Sequence, residues 1–354
     1  MTDLELLLAA DGCRATYCGD AVSADPGKFD WSRLLQLAQR HRVEALVWAG
    51  LGELRQFVPT ATARQFAARS QQTVEANLRA TMECAELHDR FYRSGVDLLF
   101  LKGLTLAALS YPNPMLKMGW DIDLLVAPTQ IDEVARLLGE RGYRLDIPAG
   151  ANRRKLQNWH QLRKESVWCR PDAGMTIDLH SGLADNPLLL SGVGMASPRQ
   201  QVRVASGIEL PTLANDELFA YLCVHGASSA WFRLKWICDL AAYLHRQNPQ
   251  EVARLYERSQ RLGPGRAADQ ALLLARRIFG TAVPGELEER IKSRRISRWL
   301  ARIAEAQLAN PDEPTERLLG TAMIHLSQPL LMSGAKFPLA EIARQTRDLM
   351  MKAA

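Results

Sequence analysis

Two aspartates, Asp121 and Asp123, stand two residues apart in GWDIDLLV (119–126), inside a run that is otherwise apolar. On a β-strand alternate side chains point the same way, so both carboxylates share a face with Leu125, while Ile122, Leu124 and Val126 share the other. Like charges roughly 7 Å apart on a half-buried surface raise each other's pKa and cost stability unless something positive lies between or in front of them. A hard divalent cation does this, since magnesium takes a few carboxylate oxygens and completes its shell with water and substrate phosphate. The plainer reading is that one aspartate caps a turn and the other is solvated at a strand end.

Two neighbouring features bear on that choice. Asp178 in MTIDLH (175–180) has the same setting, an acid between Ile177 and Leu179, and two-metal phosphoryl chemistry needs a third carboxylate beside the first pair. An edge-strand aspartate facing solvent is its alternative. LKGLT (101–105) puts Lys102 and Gly103 where a strand meets a helix N-terminus. Backbone N–H groups and the helix dipole favour phosphate there, and glycine lets it approach closely.

The elements that must position these residues follow from periodicity. Residues 1–94 read as helical, with apolar positions three and four apart in 32–51 and helix formers throughout 62–95. VDLLFLKG (96–103) reads as a strand entering a turn, followed by a short helix over 104–110 that Pro112 and Pro114 stop. DIDLLV (121–126) is a second strand, and 129–143 a helix with Thr129 as N-cap and Asp132 in the capping-box position. SVWCR (166–170) and MTIDLH are two more strands joined by the turn-rich PDAG. From 213 onward the pattern is helical again. The expected class is α+β, predominantly helical: a helical region over 1–94, a small mixed-sheet core over 95–185 and a helical domain over 186–354.

An apolar share of 47% and a charged share of 23% argue against disorder, and no apolar run is long enough for a membrane span. The acidic MTDLELLLAADG lacks the basic start of a secretory signal, so a cytoplasmic location is expected. Six scattered cysteines without a C-x-x-C pair read as packed thiols. A net charge of +5 suits anionic small substrates and nucleic acid alike.

The runs LKGLTLAALSYP, KMGWDIDLLV with its following helix and RGYRL, and TIDLHSGL resemble the uncharacterised nucleotidyltransferase family of the DNA polymerase β-like superfamily. The likeness extends into LPTLANDELFAYLCVHGASSAWFRLKWICDLAAYL (210–244) and back to HRVEALVWAGL (41–51), about two-thirds of the chain. It implies that Asp121 and Asp123 bind magnesium, or manganese in its place, and that Asp178 completes the metal site and orients or deprotonates the acceptor. Gly103 would form the phosphate-side turn, with Lys102, Thr105, Lys117 and Lys235 as the other nucleotide-binding residues. The chain departs from the family pattern at Lys117, where the family has arginine; at Trp120, where it has a small residue; and at Leu104, where it has serine or glycine. Lysine keeps the charge but loses the bidentate fork.

The implied activity is magnesium-dependent transfer of a nucleoside monophosphate from a nucleoside triphosphate, ATP among them, with release of pyrophosphate. The rivals are a nucleotide-binding sensor or scaffold without catalysis and a transferase of another phosphorylated group such as a sugar phosphate. Proteins, sugars, small metabolites and nucleic acid all stand as acceptors, and no specialised nucleic-acid motif is present. Lys235 and Arg233 could reach triphosphate or lie on a solvated helix face. His180 shares the strand face of Asp178, and His225 reads as a packing histidine. Trp231 and Trp236 could stack on a base or fill the core. The basic run 291–298 could bind nucleic acid, although the acids interspersed around it suggest a solvated face.

Overall fold

The computed structural model of the protein describes residues 3–119 and 121–353. Trp120 lies outside the described residues. Helical periodicity builds α1 (Leu4–Cys18), α2 (Trp31–His41), α3 (Glu44–Gly50) and the 34-residue α4 (Thr60–Arg93). Asp30 starts α2 by accepting the backbone N–H groups of Ser32 and Arg33. The periodic stretch 32–51 is not one helix, because Arg42 adopts φ 57° and ψ 46° and ends α2 in a left-handed turn. Gly50 and Gly12 let α1 and α3 touch backbone to backbone: a Cβ on Gly50 would stand 1.8 Å from the Gly12 carbonyl oxygen.

The chain then forms β1 (Leu98–Phe100), α5 (Leu104–Ser110), β2 (Ile122–Val126), α6 (Ile131–Glu140), β3 (Arg144–Ile147), α7 (Arg153–Leu162), β4 (Glu165–Arg170) and β5 (Met175–His180). The five strands make one mixed sheet in the order β1-β2-β5-β4-β3. Only β2 and β5 run parallel; the other neighbours are antiparallel. The parallel pair needs a long crossover, which α6, α7 and the β3–β4 hairpin supply. Alternation sorts the strands' side chains. Phe100, Ile122, Leu124, Ile177 and Leu179 pack with Leu87 and Phe91 of α4 and Val134 and Leu138 of α6, while Leu99, Leu101 and Leu125 point the other way, into the core of the terminal helices.

Two expectations are corrected. Thr129 does not cap α6, which makes no side-chain cap hydrogen bond; Asp132 instead takes Arg153 Nε of α7 at 2.8 Å, tying the crossover together. The region from 186 on is not wholly helical either: β6 (Arg199–Ala205) and β7 (Ile208–Leu213) form a hairpin whose Val202, Val204 and Leu210 join the core beneath the sheet.

Helices α8 (Asn215–Ser228), α9 (Leu234–His245), α10 (Pro249–Ser259), α11 (Ala267–Phe279), α12 (Gly285–Ser293), α13 (Arg295–Leu308), α14 (Ala322–Ser327) and α15 (Lys336–Ala353) follow. α2 and α13 meet end to end: Arg40 donates to the Gln307 carbonyl, and His41 Nε2 donates to that of Leu308 at 3.1 Å. Burial, with Arg40 beside it, pushes His41 down to about 3, so the ring is neutral and its Nδ1 accepts from the Leu234 amide. The helices before and after the sheet therefore share one core. No described helix is long and apolar enough to cross a membrane.

Candidate active site

The strand registers assemble the acids. β2 beside β5 puts Asp123 opposite Asp178 and Leu125 opposite His180, and β5 beside β4 puts His180 opposite Glu165. Residues opposite one another on neighbouring strands share a face, so Asp123, Asp178, His180 and Glu165 gather on the face opposite the one that packs on Leu87 and Phe91. Asp121, one residue before β2, joins them through a hydrogen bond with Asp178. Asp123 Oδ1 meets Lys102 Nζ at 2.9 Å and His180 Nε2 at 3.1 Å. Its Oδ2 has no hydrogen-bond partner among the described residues, although Asp123 is only 3% exposed. His180 Nδ1 faces Glu165 Oε2 at 3.3 Å, and Lys164 pairs with the same oxygen.

These groups perturb one another strongly. Burial, reinforced by Asp123 and Asp121, pushes the Asp178 carboxyl up to about 8, so it is a neutral donor near pH 7. Asp121 goes the other way: burial opposes its charge, but Lys102, Lys235 and the hydrogen bond from Asp178 outweigh that and hold it well below the usual carboxylate range. Burial likewise works against Glu165, yet Lys164 and His180 bring it down to about 2. Lys102 is desolvated too, and the attraction of Asp123 and Asp121 keeps it protonated. One carboxylic acid beside a set of anions and cations is the pattern of a site tuned for function.

A cleft of about 290 Å³ opens onto this cluster. Lys102, Gly103, Thr105, Asp121 and Asp123 line it. Gly103 has φ 68° and ψ −122°, a backbone state that side chains rarely adopt, at the turn from Lys102 into α5. Thr105 is 1% exposed and donates its hydroxyl to the carbonyls of Lys102 and Phe100, so it braces that turn. Lys117 is buried and pairs with Asp239 Oδ2 at 3.4 Å, while Tyr111 donates to Oδ1 of the same aspartate at 2.9 Å. Lys235 turns inward toward Lys117 and Asp121, and burial with the neighbouring Lys117 pushes its pKa down to about 7.

Other candidates lie elsewhere or serve the scaffold. Arg233 pairs with Glu313 at 3.1 Å and stacks on Phe232 and Trp236. Trp231 is fully buried against Gly226, where a Cβ would come within 2.5 Å of its ring, so it belongs to the core. Trp236 packs edge-on against His225 and Phe232. His225 is held neutral by burial and by the nearby Lys102 and Lys164. In the basic run, Arg294 and Ser297 bind Asp269 and Lys292 binds Glu288, so those residues are spent within the protein.

Glu165, Lys164 and Glu44 were not singled out by sequence. A signal for Glu165 existed: closing the β4–β5 hairpin across Pro171–Gly174 pairs Arg170 with Met175, and counting back from there brings Glu165 opposite His180. Glu44 carries no such local mark, since only the packing of α3 and α4 brings it to the cleft.

The donor set fits a divalent cation. One ligand atom each from Asp123, Asp178 and His180 lie within 4.8 Å of one another, and Asp123 Oδ2 is a buried acceptor awaiting a partner. No curated protein matches the chain. A family model described as "uncharacterised nucleotidyltransferase" matches residues 27–280, which takes in α2 through α11, the whole sheet and every acid of the cluster.

Proposed function

The chain belongs to the uncharacterised nucleotidyltransferase family, and from that premise we propose that it moves a nucleoside monophosphate from a nucleoside triphosphate to an acceptor hydroxyl or phosphate. Pyrophosphate is the other product. The observation that carries this reading is the register pairing of Asp123 with Asp178, which gathers the aspartates at a cleft that Lys102, Asp121 and Asp123 line. Asp121, Asp123 and Asp178 would hold magnesium, or manganese in its place, which when bound neutralises charge on the phosphoryl oxygens and makes an attacking hydroxyl more acidic. Magnesium prefers oxygen donors, so His180 acts by fixing Asp123, with the Glu165 carboxylate 3.3 Å behind the ring.

The remaining side chains handle charge and position. Lys102, Lys117 and Lys235 surround Asp121, Lys102 lines the cleft where a triphosphate would lie, and Gly103 allows its oxygens close to the backbone. Fixed cations of this kind favour the transition state, in which charge spreads over the phosphoryl oxygens. Asp178, once ionised, orients the acceptor's hydroxyl and takes its proton as the new P–O bond forms and the bond to pyrophosphate breaks.

A pyrophosphate-release assay with magnesium and each nucleoside triphosphate tests this, with mass spectrometry of the products to identify what was modified. Asp121→Asn should abolish release and weaken magnesium binding while leaving the melting temperature near that of the parent. Full activity in that variant would defeat the assignment.

A further inference from the structure

The cleft continues beyond the aspartates along α4, and there one buried acceptor is left bare. Glu44, in the first turn of α3, is 3% exposed, and its Oε2 has no hydrogen-bond partner among the described residues. Oε1 stands 3.8 Å from the Arg69 guanidinium, too far for a hydrogen bond. Leaving such an oxygen unpaired costs free energy, and Glu44 and Arg69 line the same cleft as Lys102, Asp121 and Asp123.

Small residues make up much of the wall between them, with Gln72 and Arg79 of α4 at its edge. Thr73, Ala76 and Ala80 face the cleft from α4 at helical spacing, and Met118 and Gly119 also line it. The loop bearing those two residues is pinned to α4 by Asn77, which donates to the carbonyls of Met115 and Lys117, each at 2.8 Å. Low walls of this kind suit a flat ring, and a lone acceptor suits an N–H at the ring's edge.

Building on the nucleotidyl-transfer reading, we infer that Glu44 is a specificity-determining residue whose Oε2 accepts an N–H from the exocyclic amine of the donor's nucleobase. The cleft then prefers cytosine to uracil and adenine to hypoxanthine. In each pair the second base puts a carbonyl oxygen where the amine was, and two acceptors would meet with no proton between them. A site built around a hydrogen bond rejects the analogue that lacks it.

Titration calorimetry with magnesium and CTP, UTP, ATP and ITP tests this directly. The parent protein should bind CTP over UTP and ATP over ITP by about tenfold or more. In Glu44→Gln the amide can turn its NH₂ toward a carbonyl, so the ratios should fall toward one. Where that variant does not fold, Glu44→Asp keeps the charge but withdraws the oxygen, and the ratios should again shrink. Equal affinities within each pair in the parent overturn the role of Glu44 and leave the nucleotide reading standing. So do ratios that survive substitution, even if every affinity drops together. If no nucleotide binds, both fall.

Discussion

Two buried aspartates, Asp269 on α11 and Asp123 on β2, are 0% and 3% exposed, and their surroundings differ in two respects. Asp269 is saturated: Tyr256 and Arg294 serve Oδ1 at 2.6 and 2.9 Å, and Ser297 and Arg294 serve Oδ2 at 2.6 and 2.9 Å. Asp123 has donors only on Oδ1, a bare Oδ2, and two further aspartates for neighbours. A buried charge with every lone pair answered holds helices together. One with acceptors left over and like charges beside it stores repulsion that a cationic ligand relieves.

Substitution should separate the two cases, and the largest effect belongs to the cluster on the sheet. Asp178→Asn should cut pyrophosphate release a hundred- to a thousandfold, the scale of losing one preorganised polar group, yet leave the protein folded. Its sign with pH is defined: the folded pKa of about 8 lies above the ordinary 3.8. The stability contributed by the neutral acid is therefore complete below about 4 and is lost as pH rises toward 8. Urea melts across that window should slope downward in the parent and less in the variant; identical slopes would remove Asp178 from the cluster's electrostatics. Asp269→Asn should do the reverse, costing about 1.5–3 kcal/mol in the same melts while the folded fraction keeps its turnover. A large loss of activity there would erase the contrast.

Lys235 gives the smallest and sharpest probe. Its pKa of about 7, set by burial among Lys117, Asp121, Asp239 and Lys102, means that it loses its charge between pH 6 and 8. Nucleotide affinity, read by calorimetry, should weaken over that range by up to roughly tenfold. Lys235→Arg, which stays charged, should flatten the profile.

Much of this was legible in the chain, and the boundary is physical. Asp121, Asp123 and Asp178 stand out because acids between apolar residues break a local pattern, and MTIDLH and LTLAALS form the strand and helix their periodicity predicts. The pairing of Asp123 with Asp178 depends on a crossover of some fifty residues, and nothing local sets it. The break at Arg42 was missed because periodicity runs through it on both sides. The β6–β7 hairpin was hidden by Pro211 and by charges at Arg199, Arg203 and Glu209, all tolerable on a two-stranded ribbon. Glu44 was silent because a single acid at a helix start has many ordinary uses, and only α4 crossing over it makes a wall.

The end-to-end lock between α2 and α13 also bears on how the molecule is made. Arg40 and His41 must wait for carbonyls 267 positions downstream, and at roughly 5–20 residues per second of synthesis that delay is on the order of 10–60 s. During that interval α1, α2, α3 and α4 can pack on one another, while the flank that α1 turns to α9 and α11 stays uncovered. For the same reason a clone trimmed to the sheet alone would be a poor source of working enzyme.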